Sequence, residues 1–207
     1  MPYGYIGQNL PNQTKSNSGV FSISDVADLE KQGKFGGSLE LIEEQTHTSD
    51  VSTIDFTSIK ENIYDVHLFV LSNIHSASGG QAMGMRFYES GVLETASVYQ
   101  YARQIGTVTG TFSVGQELTR SDIPQMGTLD TTSGASGNQY IYCYYFGNSS
   151  KYSYVSYQDF TFDPNGGVFT FGGGLLDQKS TVDGVRFFLP SNTLNSFDIK
   201  LYGVKQI

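Results

Sequence analysis

From residue 46 to the C-terminus, apolar and polar positions alternate with a period of two in one short segment after another. That period belongs to strands with one buried face. The clearest case is the end of the chain, where Phe197, Ile199 and Leu201 fall on one face and Asp198, Lys200 and Tyr202 on the other. Val51–Phe56 alternates through Thr53 and Asp55, and Asn62–Leu71 puts Tyr64, Val66, Leu68 and Val70 together. Ala82–Tyr88 aligns Met83, Met85 and Phe87, and Thr95–Arg103 aligns Ser97, Tyr99 and Tyr101. Gln104–Ser121 is weaker and interrupted by glycine, whereas Gln139–Phe146, Ser153–Phe162, Gly167–Phe171, Val182–Leu189 and Ser196–Val204 complete the set. Between them, Ser76–Gly80 reads as a loop, Glu89-Ser-Gly91 as a hairpin turn, Gly127–Asn138 as a long polar loop and Asp163-Pro-Asn-Gly-Gly167 as a turn. About ten short strands without intervening helices predict an all-β fold, an antiparallel β-sandwich of jelly-roll type over residues 46–207. Met83, Met85 and Phe87, Phe169 and Phe171 or their neighbours, and Phe197, Ile199 and Leu201 should meet in one core. The last strand is expected to close the domain.

The pattern before residue 46 differs. Residues 1–19 are polar and turn-rich, with little to bury, so an N-terminal arm over 1–45 is expected to order only against a partner. Asp25–Gln32 reads as its single helix, with Ser24 as cap, Asp25 and Asp28 on the positive end of the dipole, and Gly33 at the C′ position. Val26 and Leu29 make a stripe too thin to hold two turns by themselves. The apolar residues with which such an arm could attach are Tyr5, Ile6, Leu10, Val20, Phe21, Ile23, Val26, Leu29 and Phe35. Gly36-Gly37 separates this segment from Ser38-Leu-Glu-Leu-Ile, near which the β-domain begins.

Composition sharpens the picture. A chain of 207 residues with only 15% charged residues and 14 each of Tyr and Phe is strand-and-turn material. A net charge of -8 without a basic face argues against nucleic acid as a partner. No apolar run approaches the roughly 20 residues of a membrane span, and the N-terminus has no secretory pattern, so no membrane association is expected. Cys143 is the only cysteine, which rules out an intrachain disulfide and points to assembly in a reducing cytoplasm.

Candidate chemistry is thin. His47, His67 and His75 show no ligand spacing; a metal site from His67, His75 and Asp65 competes with plain surface histidines, the simpler reading. Cys143 alternates with Tyr142 and Tyr144 and reads as a small core hydrophobe rather than a nucleophile. The acids Asp159, Asp163, Asp177, Asp183 and Asp198 read as solvated rather than as a glycosidase pair. Gly172-Gly-Gly174 precedes no helix and is no phosphate cradle. No catalytic residue, metal or cofactor is expected. The tyrosines stand out: Tyr140, Tyr142, Tyr144, Tyr145, Tyr152, Tyr154 and Tyr157 lie within a single short stretch. If Ile141, Cys143 and Tyr145 face the core, Tyr140, Tyr142 and Tyr144 form an outward ladder. With Tyr152, Tyr154 and Tyr157 they are the candidate interface, with core packing and glycan stacking as the alternatives. The excess of tyrosine and the unordered arm together suggest a homo-oligomer, with a trimer as the first guess.

Two stretches resemble structural proteins of tailed bacteriophages of the marine and cyanobacterial kind. Ser18-Gly-Val-Phe-Ser-Ile-Ser-Asp-Val, followed by a short helix, is similar to the opening of appendage, tail-fibre-like and capsid-decorating proteins. Val182-Asp-Gly-Val-Arg-Phe-Phe with Phe197-Asp-Ile-Lys-Leu-Tyr-Gly-Val-Lys205 resembles the last two strands of their jelly-roll modules. Ile54-Asp-Phe-Thr-Ser-Ile, Met85-Arg-Phe-Tyr-Glu-Ser-Gly and Ser97-Val-Tyr-Gln-Tyr-Ala match the body between them. The resemblance implies a non-enzymatic virion protein, assembled in the host cytoplasm and joined by its arm to other capsid or tail proteins. Capsid cement and tail or fibre adaptor both stay open, and the absence of a shaft favours a compact knob. The alternative is a receptor-binding tip that recognises a host surface glycan through Tyr140–Tyr157 and the Gly127–Asn138 loop.

Overall fold

The structure is a computed structural model; it describes residues 22–31, 38–79, 81–131, 134–163 and 165–205. The chain divides into two units, Met1–Ser38 and Leu39–Ile207. In the first, one helix is described, α1 (Ile23–Lys31). It begins earlier than the sequence suggested, because Ser22 and not Ser24 caps it. The Ser22 hydroxyl accepts the Asp25 N–H at 3.1 Å, and the Asp25 carboxylate accepts the Ser22 N–H at 3.1 Å. This reciprocal pair satisfies two donors that a bare helix start leaves orphaned. Ile23 is 91% exposed and Val26 half-buried. Tyr5, Ile6, Leu10, Val20, Phe21 and Phe35 lie outside the described residues, as does the side chain of Leu29.

The second unit is an antiparallel β-sandwich of thirteen strands: β1 (Leu39–His47), β2 (Thr53–Phe56), β3 (Val66–Ser76), β4 (Gln81–Glu89), β5 (Val92–Leu93), β6 (Tyr99–Thr107), β7 (Phe112–Arg120), β8 (Ile123–Leu129), β9 (Gly137–Tyr144), β10 (Tyr152–Asp163), β11 (Gly166–Lys179), β12 (Val182–Phe188) and β13 (Leu194–Val204). The larger sheet runs β1-β13-β3-β9-β10-β11-β6-β7; the smaller runs β2-β12-β4-β5, with β8 also on β4. The orders β1-β13-β3-β9 and β2-β12-β4-β8 are the two four-stranded sheets of a jelly roll. Two hairpins, β6–β7 and β10–β11, extend the first of them.

Three readings from sequence shift here. β1 pairs with β13 from Leu39↔Val204 to His47↔Phe197, so the sandwich begins at residue 39 and takes in residues assigned to the arm. The loop read over Gly127–Asn138 is shorter than expected at both ends: β8 runs to Leu129 and β9 starts at Gly137. In β3 the face buried in the central core is His67, Phe69 and Leu71, the opposite face from the one carrying Val66 and Val70. The Glu89-Ser-Gly91 turn stands as expected, Ser90 and Gly91 both taking positive φ in a two-residue hairpin.

The core lies between the inner faces of the two sheets. Phe69 of the larger sheet meets Phe56 and Phe187 of the smaller, edge to face, at 5.3 Å each. Met83, Met85 and Phe87 join Phe197, Ile199 and Leu201 in the same buried cluster. Beside Phe171 it is the neighbours Val168 and Thr170 that are buried, while Phe171 is 46% exposed.

The C-terminal Leu-Tyr-Gly-Val stretch has a physical reason. Gly203 stands opposite Glu40 on β1 and His67 on β3, and the Tyr64 ring occupies the space a Cβ at Gly203 would need. Tyr64 is buried there and donates its hydroxyl to Glu40, and the two effects raise its pKa to about 12. A Gly203→Ala chain therefore forces ring or strand to move. It should lose about 1–3 kcal/mol, read as a lower urea midpoint with unchanged slope.

Candidate functional site

The two sheets turn different outer faces to their surroundings. On the smaller sheet the face is ionic. Arg186 grips Asp55 with bonds of 2.6 and 2.8 Å, Tyr88 donates to Asp55 at 2.9 Å, and Arg86 lies 4.4 Å over the Phe188 ring. On the larger sheet, where the two added hairpins extend it, the face is aromatic.

The register of β9, β10, β11, β6 and β7 lines up this face in rows across the strands. One row reads Asn138, Phe160, Phe169, Gly106, Phe112. The next reads Tyr140, Gln158, Phe171, Gln104, Val114, and the third Tyr142, Ser156, Gly173, Ala102, Gln116. The fourth is Tyr144, Tyr154, Leu175, Gln100. Exposure is large for apolar side chains: Phe160 53%, Phe112 74%, Val114 69% and Leu118 75%. Exposed apolar side chains grouped in this way make the face a candidate interaction surface.

The third row is a groove. Gly173 and Ala102 make a floor of small residues beside walls that include Tyr154 and Leu175, and the open hollow has a volume of about 630 Å³. Gly173 is required by the sheet, since a Cβ there would lie 2.8 Å from the Val155 carbonyl oxygen. The glycine run thus brings three strands close and leaves the floor bare.

The structure brings most of the tyrosines named from sequence onto this face. Tyr140 and Tyr142 pack edge to face at 6.1 Å, and Tyr142 stacks on Tyr144 at 6.5 Å. Tyr140 donates to Gln158 at 2.6 Å, Tyr154 is 40% exposed, and Tyr152 is half-buried with Lys179 5.7 Å over its ring. Tyr157 is a correction. It is 3% exposed, points into the sandwich and donates to the Pro124 carbonyl at 3.1 Å, so it ties β8 to β10 instead of serving an interface. The phenylalanines were missed. Their signal lay in Phe160 and Phe162, which share the parity of Tyr154, Ser156 and Gln158.

Behind the aromatic face the sandwich holds a polar interior. Asp159 is 2% exposed and accepts the Gly127 N–H at 3.1 Å. Burial pushes its pKa up to about 7, against the opposing pull of Gly127, Thr170 and Arg103. Arg103 donates to the carbonyls of Pro124 and Met126 at 3.3 and 3.4 Å, and Gln139 to that of Gln125. The Asp159 Oδ1 and Thr161 Oγ1 atoms have no protein partner. Asp159 was expected to be solvated, and its burial overturns that.

The remaining candidates take separate places. His67 is buried, not a surface residue; its Nε2–H donates to the Ile59 carbonyl at 2.8 Å, and burial lowers its pKa. Cys143 is fully buried, which pushes the thiol up and keeps it protonated at neutral pH. Among the described residues no group of three or more His, Cys, Asp or Glu side chains is placed to hold a metal ion, and no helix is long and apolar enough to cross a membrane. Asp177 accepts from Gln100 at 2.8 Å at the groove rim. Two carboxylates not singled out from sequence do meet: Gln178 donates to Glu89 at 3.0 Å and to Glu94 at 2.7 Å. Burial raises the Glu89 pKa, while the Ala96 N–H lowers that of Glu94. Neither lines the groove. No protein-family model matches the chain, and no curated protein matches it either.

Proposed function

We propose that this protein is a non-enzymatic structural component of a bacteriophage particle, attached through its N-terminal segment, whose eight-stranded sheet turns its outer face to a neighbouring protein surface. The observation that carries the reading is the aromatic face built by the two added hairpins. It is broad, and it is backed by a closed jelly roll. Such a build suits a cement or adaptor module, and the resemblance of residues 18–35, 182–188 and 197–205 is what points to a phage particle. The test is immunogold microscopy of purified virions with antibody against this chain. Gold at many shell positions supports decoration, gold at the tail supports the adaptor, and virions free of label overturn the reading. A chain lacking residues 1–35 should fold but lose incorporation into particles, as scored by mass spectrometry of purified virions; normal incorporation removes the arm as anchor.

A specific observation favours a second reading, recognition of a host surface glycan. The groove combines ring-bearing walls with the amide side chains of Gln100 and Gln116 and a bare floor. Rings stack on the apolar faces of sugars, and amides bond to their hydroxyls. On this reading Tyr154→Ala weakens retention on host polysaccharide about tenfold, the loss of roughly 1.4 kcal/mol. Equal retention of both chains in affinity electrophoresis removes it.

A further inference from the structure

We infer that β7 is a pairing edge whose occupant is the β7 strand of a second copy of this chain, joined antiparallel about a two-fold axis at Gly115. A strand at the end of a sheet carries a row of unpaired N–H and C=O groups, and folded proteins normally guard such edges. Among the described residues the other edges here are guarded. β1 carries Glu40, Glu43 and Glu44 and a bulge between Leu41 and Glu43, with Lys60 and Lys205 on Glu40 and Lys200 on Glu44. β2 and β5 are only four and two residues long, and β8 is buried along nearly its whole length.

β7 has none of these devices over its first half. Its nine residues lie at the end of the sheet order, and Phe112–Gln116 contains no charged residue. In a chain of net charge -8, two copies repel one another over most of their surfaces. The uncharged half of β7 is a place where they can approach. The sequence is also self-complementary there. With Gly115 on the axis, Phe112 faces Leu118 of the second copy twice, Val114 faces Gln116, and each Glu117 faces Ser113. A register centred on Glu117 would set the two carboxylates against each other, and one centred on Phe112 would shorten the ladder. The regular pairing of β7 with β6 gives way after Glu117, so the regular ladder between the two copies runs from Ser113 to Glu117 and the Phe112–Leu118 contacts lie at its two ends.

Joined in this way, the outer rows of the two copies continue across the axis, eight strands from each. The contact is isologous, so it closes at two copies and does not build the trimer expected from the tyrosine excess. A ladder this short falls below the roughly 800 Å² per partner of a standard interface, so the dimer is weak and reversible.

Sedimentation equilibrium of the full chain over a wide concentration range tests the pairing. The weight-average mass should climb to twice that of one chain at high concentration. Val114→Lys, at an exposed position where folding does not depend on the side chain, should abolish the rise, while Leu41→Lys on the guarded edge should leave it. Hydrogen exchange should show the amides of Phe112–Gln116 gaining protection as the dimer fills. A mass of one chain throughout, a mass of three, or a Val114→Lys chain that still dimerises would each overturn the inference. A monomer that is nevertheless found on virions overturns this pairing alone and leaves the particle assignment standing.

Discussion

An Asp159→Asn chain should be the more stable protein at pH 8, and its advantage should vanish below pH 4. Asp159 sits in the interior with its pKa raised to about 7 from an ordinary 3.8. A group whose folded pKa is raised binds its proton more tightly in the folded state. Its contribution is therefore complete below the unfolded value and is lost as pH climbs through the folded one. Across that window the carboxylate costs the fold about 4 kcal/mol before any relaxation of β8 around it. Asparagine keeps an oxygen for the Gly127 N–H without a charge to bury. Urea titrations at pH 3, 5.5 and 8 check this. The wild-type midpoint should fall with rising pH on account of this group, and the variant should lack that component. Parallel curves for the two chains would show that the carboxyl stays ionised or is solvated.

Removal of one ring at the junction of the sheets should cost more than removal of any ring on the outer face. Phe187 is fully buried against Phe56 and Phe69, at 6.2 and 5.3 Å. Phe187→Ala leaves a cavity that neither sheet can close alone, and about 3–5 kcal/mol of stability should go. Against a typical total of about 5–15 kcal/mol, that is enough to unfold a marginal domain. Phe187→Leu, which keeps more of the volume, serves as the measurable companion. Phe160→Ala removes a ring that is 53% exposed and should change stability by about 0.5 kcal/mol or less. Chemical denaturation of the three chains gives the comparison. A costly Phe160→Ala would mean that the outer face is already covered within the chain.

Alternation showed that this is a sandwich, and it placed Met83, Met85, Phe87, Phe197, Ile199 and Leu201 correctly inside. It could not show which face of a strand is the inner one when both carry apolar groups. In β3, Leu68 is nearly as buried as Phe69, and so is Tyr64 just before the strand, whose ring lies over Gly203. In β10 the usual preference is inverted, with Asp159 and Thr161 inside and Phe160 and Phe162 outside. A rule that puts phenylalanine in and aspartate out fails at such a strand, and the failure marks the candidate face. Tyr157 was misplaced for the same reason. It differs in parity from Tyr154, and only the carbonyl of Pro124 on β8 reveals what its hydroxyl is for. Of the hairpin insertions, β10 and the first part of β11 were legible as strands, whereas the end of β6 and all of β7 fell in the weak, glycine-interrupted Gln104–Ser121; their position beside β9 depends on pairings between residues far apart in sequence, which no local pattern carries.

The pairing of β1 with β13 also sets an order of events during synthesis. Leu39 meets Val204, so the first strand of the sandwich waits for the last to leave the ribosome. Sequence-adjacent hairpins such as β10–β11 can form while translation continues, whereas the closing ladder must overcome the entropy of a loop as long as the domain. Throughout that interval β1 is a nascent strand without a mate, open to strands from neighbouring polysomes. Its glutamates then act as gatekeepers that repel other acidic nascent chains, and Lys200, arriving with β13, supplies the counter-charge for Glu44 that admits the proper partner.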